Sequence, residues 1–110
     1  MVEQRRTKRF EIKLPLKVVR HGLRPFSGGG ETRNLSSGGV LFDADSRVEA
    51  GEPIEYVITF PTLPESESLV SLHCLGKVLR AAREVKKPDP QRPFAVAATL
   101  ERYEFRRLKP

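Results

Sequence analysis

At 110 residues the chain has room for one domain with a buried core and too little for two ordinary ones. Its 38% hydrophobic and 31% charged residues are those of a globular protein, and no apolar run approaches the roughly 20 residues a membrane-spanning helix needs. The formal net charge of +6 is concentrated: residues 1–24 hold eight bases (Arg5, Arg6, Lys8, Arg9, Lys13, Lys17, Arg20, Arg24) against Glu3 and Glu11, which accounts for the whole excess and points to one anionic partner at one place.

Taken in chain order, the N-terminus MVEQRRTKRFEIK is charged and lacks the apolar stretch of a secretory signal, so a cytoplasmic location is expected. From Phe10 the chain alternates, with Phe10, Ile12, Leu14, Leu16 and Val18 apolar and Glu11, Lys13 and Lys17 between them, which predicts a half-buried strand. Gly28-Gly29-Gly30 then reads as a break, and Gly38-Gly39 as a turn ahead of a short strand at Val40-Leu41-Phe42. After the turn residues Ala50-Gly51-Glu52-Pro53, alternation returns at Ile54, Tyr56, Ile58 and Phe60. It returns again at Val70, Leu72, Cys74, Gly76 and Val78, and at Phe94, Val96, Ala98 and Leu100. The segments Pro61 to Ser68 and Arg83 to Pro93 between these runs are polar, proline-rich loops, and the one segment that could form a helix, a short terminal one, is Glu101 to Lys109. Five or six strands of this length bury themselves best by closing the sheet on itself, so the prediction is all-β: an antiparallel β-barrel.

Catalytic chemistry finds no support in the sequence. A single cysteine, Cys74, has no thiol partner for a disulfide or thiolate metal site and reads as a small buried hydrophobe. His21 adjoins the Gly22 turn, His73 lies on the polar side of a strand, and neither belongs to a metal-spacing cluster or stands beside a nucleophile motif. Asp43 and Asp45 lie two apart near a turn and are expected to be solvated, as are Lys77, Arg80 and Arg102. No enzyme, metal or cofactor is expected.

Two features stand out for binding. Arg5-Arg6-Thr7-Lys8-Arg9 gives an R-x-x-x-R spacing just before the first strand, and Asn34-Leu35-Ser36-Ser37-Gly38-Gly39 gives N-x-S-x-x-G entering a tight turn. A guanidinium fork matches guanine O6 and N7 bidentately, stacks on purine faces and pairs with phosphate. Asn34 and Ser36 add an amide and a hydroxyl at a strand rim, and Gly39 permits close backbone approach and a positive φ. From the residues alone, a solvated basic tail and a plain hairpin turn remain open.

Together, in this order and on an all-β chain, the two motifs resemble those of the PilZ domain, a bacterial receptor module for cyclic di-GMP. The resemblance runs from Gln4 to about Phe105 and implies that Arg5 and Arg9 bind the guanines and phosphates of the ligand. It further implies that Asn34, Ser36 and Gly39 form the barrel-side surface, with Gln4, Arg6 and Gly38 as further contributors. One domain over residues 1–110 is then expected: a mobile basic ligand-clamping segment at 1–9, a six-stranded antiparallel β-barrel at 10–102, as the resemblance implies, and a tail or short helix at 103–110. Ligand binding would order the basic segment and signal to an effector protein in trans. A second reading stays open, a small barrel that binds single-stranded nucleic acid or serves as a nucleotide-independent adaptor. Stacking platforms need exposed aromatics among bases, and of the aromatics only Phe26, Tyr103 and Phe105 fall off the apolar sides of the runs, so nucleic acid is not the expected partner.

Overall fold

The computed structural model describes residues 9–60, 69–84 and 91–108, and these form eight strands with no helix. They are β1 (Phe10–Glu11), β2 (Pro15–His21), β3 (Arg24–Leu35), β4 (Gly39–Ala44), β5 (Pro53–Phe60), β6 (Leu69–Arg83), β7 (Phe94–Thr99) and β8 (Arg102–Leu108). The expected roles of Gln4, Arg5 and Arg6, the mobility of the N-terminal segment and the loop at Pro61 to Ser68 lie outside the described residues.

Six strands close into a ring in the order β3-β2-β5-β6-β7-β4, with a β3–β4 pairing completing it and every pairing antiparallel. Alternation explains most of the wall: Leu16 and Val18 of β2, Val40, Phe42 and Ala44 of β4, Ile54, Tyr56 and Ile58 of β5, and Val96 and Ala98 of β7 all point into one core. Closure satisfies the ladder groups that an open sheet of these strands would leave exposed.

Three expectations are corrected. The first alternating run is two strands, because the chain leaves the ladder between β1 and β2, and Phe10 and Ile12 are 60% and 40% exposed while Leu14, Leu16 and Val18 enter the core. The glycine triplet lies inside β3 and breaks nothing. A Cβ on Gly30 would stand 2.5 Å from the Asp43 carbonyl oxygen and 3.4 Å from the ring of Phe42, so close packing of β4 and the bulk of Phe42 occupy the space that this glycine vacates.

The third correction is at the C-terminus, where a strand replaces the expected helix. β6 spans 15 residues and outruns the barrel. One of its edges pairs first with β7, over Val78–Arg83, and then with β8, over Leu69–Leu75, so β7 and β8 lie end to end along it. Thr99 marks the break between them, and its carbonyl takes up the space that a side chain on Gly76 would need. A long template strand with unpaired ladder groups outweighs the weak helical preference of so short a charged segment.

Candidate functional site

A row of side chains crosses the outside of four adjacent strands. Asn34 of β3 lies opposite Leu41 of β4, Leu41 opposite Ala97 of β7, and Ala97 opposite Arg80 of β6. At about 4.8 Å between strands, the row from Asn34 to Arg80 spans roughly 14 Å. Ala97, the smallest member, leaves a depression between the polar ends. The result is a groove of about 270 Å³ lined by Arg9, Asn34, Ser36, Gly38 and Gly39 at one end and by Leu79 and Arg80 at the other, with Leu41, Ala97 and Ala98 beneath. The structure thus brings Arg9 of the first motif together with Asn34, Ser36 and Gly39 of the second.

Each motif residue has a local reason for its place. The Ser36 amide and hydroxyl both donate to the Gly39 carbonyl, at 3.0 and 3.2 Å, and the hydroxyl accepts from the Gly38 amide at 3.3 Å. This serine therefore shapes the turn from β3 to β4. Gly38 ties that turn to the end of β7, its carbonyl accepting from the Leu100 amide at 3.0 Å, while the space beside its own Cα is open. Gly39 differs from the expectation. Its φ is not positive, and it is required because a Cβ would lie 2.7 Å from the Ala98 carbonyl oxygen across the ladder. Among the described residues the Asn34 amide and the Arg80 guanidinium have no hydrogen-bond or ion-pair partner, so both present unused donors to the groove.

The approach of Arg9 depends on a residue the sequence did not single out. Thr32, 1% exposed, donates its hydroxyl to the Ile12 carbonyl at 2.5 Å and accepts from the Leu14 amide at 2.8 Å, while its own amide donates to the Leu14 carbonyl at 2.9 Å. These bonds hold the stretch between β1 and β2 against β3, and β1 continues the contact with Phe10 opposite Leu35 and Glu11 opposite Asn34. Arg9, exposed and next in the chain, is delivered to the Asn34 end of the groove.

Arg80 is the second residue missed. It is exposed, as a solvated base is, and it lies on the far wall of the groove with Leu79, where the ladder between β6 and β7 shifts by one residue. The acids expected to be solvated also have work. Arg33 donates Nε to Asp43 Oδ1 at 2.8 Å and its Nη2 to Glu84 at 2.8 Å, and these acids hold its proton more firmly than usual. Asp45 accepts the Gly29 amide on both oxygens at 3.1 Å. Away from the groove, His21 Nε2 accepts from the Glu49 amide at 3.0 Å, and Cys74 is buried, its thiol pushed up to about 12 by loss of solvent.

A groove with guanidinium groups at both ends, free amide donors and an apolar floor suits a flat, anionic ligand that presents ring edges and phosphate. No helix among the described residues is long and apolar enough to cross a membrane. Comparison with known proteins gives the same direction: the family model of the PilZ domain matches residues 3–100, spanning both motifs and the whole barrel. No curated protein and no solved structure matches the chain. With the match covering nearly its full length, the chain belongs to the PilZ domain family, the family of cyclic di-GMP-binding domains.

Proposed function

We propose that the chain is a cytoplasmic receptor for cyclic di-GMP that acts as a binding adaptor and not as an enzyme. The observation that carries this reading is the convergence of Arg9 with Asn34, Ser36 and Gly39, residues distant in sequence, on one groove. In the proposal Arg5 and Arg9 clamp the guanines and phosphates from the N-terminal side. The Asn34 amide meets the ligand from the barrel, Ser36 and Gly38 hold the turn beneath it, and Gly39 keeps that turn tight against β7. Gln4 and Arg6 extend the same surface. Ordering of the basic segment over the groove creates the face that an effector protein recognises in trans.

Titration calorimetry with cyclic di-GMP, with cyclic di-AMP and GTP as controls, tests the reading. Heat is expected with cyclic di-GMP alone, and its absence at tens of micromolar protein refutes the proposal. Arg9→Ala, which removes one bidentate contact worth about 1–3 kcal/mol, is expected to lose roughly tenfold or more in affinity while the barrel still folds. Unchanged affinity in that variant moves the site elsewhere.

A further inference from the structure

Among the described residues β8 pairs with β6 alone, so its other edge carries free ladder groups. Tyr103 and Phe105 stand opposite Cys74 and Leu72, on the face that continues the inner wall of the barrel, yet they are 61% and 60% exposed because the strand runs beyond the closed ring. Phe105 contacts Phe60 and Tyr103, each at a ring separation of 6.2 Å. The opposite face of β8 carries Arg102, Glu104 and Arg106, with Arg106 and Glu104 paired at 3.2 Å. An exposed edge strand with an aromatic face is a template for another strand.

We propose that this edge is completed by β8 of a second copy of the chain, in an antiparallel pair about a two-fold axis. In such a pair directly opposed residues share a face, so the axis must fall on a residue. The midpoint of Arg102–Leu108 is Phe105, and only an axis there overlaps the whole strand. That register sets Phe105 against Phe105 of the second copy, Tyr103 against its Arg107, and Glu104 against its Arg106. Both Glu104–Arg106 pairs are thus of opposite charge, and each Tyr103 meets a guanidinium. Shifting the axis by one residue opposes Glu104 to Glu104 or Arg106 to Arg106. Full overlap and charge complementarity therefore select the same register. The basic segment at residues 1–9 is a poorer occupant, since β8 itself carries three arginines and one acid.

The test is the sedimentation-equilibrium mass of the ligand-free protein from low to high micromolar concentration, with circular dichroism as the check on folding. The wild type is expected to reach the mass of a dimer. Glu104→Arg and Arg106→Glu, both at exposed positions, are each expected to raise the dimer dissociation constant by tenfold or more, and the double charge swap is expected to restore dimerisation. A wild type that stays monomeric overturns the proposal, whether the edge is then left to water, to residues 1–8 or to another protein. A dimer indifferent to the single reversals overturns it, and so does a double swap that remains dissociated. None of these readings depends on cyclic di-GMP.

Discussion

Thr32→Val is the most informative single change for the architecture of the site. Valine keeps the buried shape and removes the hydroxyl that links Ile12 and Leu14 to β3. The Leu14 amide, on a residue 3% exposed, is left buried with no acceptor, which costs about 1–3 kcal/mol. The Ile12 carbonyl belongs to a residue 40% exposed and turns to water at little cost. Thr32→Ser is the control: it keeps both bonds and loses one methyl group, worth about 0.8 kcal/mol. Urea unfolding gives the stabilities, and amide hydrogen exchange followed residue by residue separates the two mechanisms. Leu14 is expected to lose protection in the valine variant and to keep it in the serine variant. Because Arg9 follows from the same anchored stretch, the valine variant is also expected to bind cyclic di-GMP more weakly. A valine variant within about 0.5 kcal/mol of wild type, with Leu14 still protected, refutes the claim that Thr32 anchors this stretch.

The two glycines of the turn are expected to behave oppositely in thermal unfolding. Gly39→Ala forces β4 and β7 apart and destabilises by about 1–3 kcal/mol, whereas Gly38→Ala, with open space beside it, leaves the melting temperature within a degree or two. Arg80→Ala removes an exposed side chain with no partner among the described residues, so the barrel keeps its stability while cyclic di-GMP affinity falls about tenfold, read by calorimetry. Burial raises the Cys74 thiol from 9.0 to about 12, so the unfolded chain gives up this proton before the folded one does. The corresponding stability is fully present below pH 9.0 and is lost as the pH rises towards about 12, and Cys74→Ala is expected to flatten part of that alkaline decline in urea midpoints.

Which strands were legible depended on how each one buries itself. β4, β5 and β7 fill their inward positions with apolar side chains, and hydropathy finds them directly. β3 buries Gly28, Gly30 and Thr32 at the same period of two, but two of these contribute an absence of bulk and the third a hydroxyl. The inward space over β3 is filled from the neighbouring strand, notably by Phe42 against Gly30, so half of the signal for this strand is written in β4. β8 carries alternation, but it lies on a strand whose existence depends on the unused length of β6. A segment that forms because a template is available leaves little trace of that fact in its own residues.

The site was half legible for a related reason. Thr32 faces the core opposite Phe42, and strict alternation would send Asn34 inward after it. The ladder instead gains one residue at Arg33, and Asn34 comes to lie opposite outward-facing Leu41. The same event occurs across the groove, where Val78 faces the core opposite Ala98, Leu79 is the extra residue, and Arg80 turns outward opposite Ala97. Each bulge converts a position that period two assigns to the interior into one on the surface. The motif asparagine could be found without this knowledge because its neighbours in sequence, Ser36 and Gly39, mark it. Arg80 has no such neighbours, and its place follows only from the register shift. Were the extra residue to sit beyond Arg80 instead, Leu79 would lie opposite Ala97 and Arg80 would fall in the inward phase, with the composition of β6 unchanged. The far wall of the groove therefore depends on where the extra residue sits in β6 more than on which residue it is.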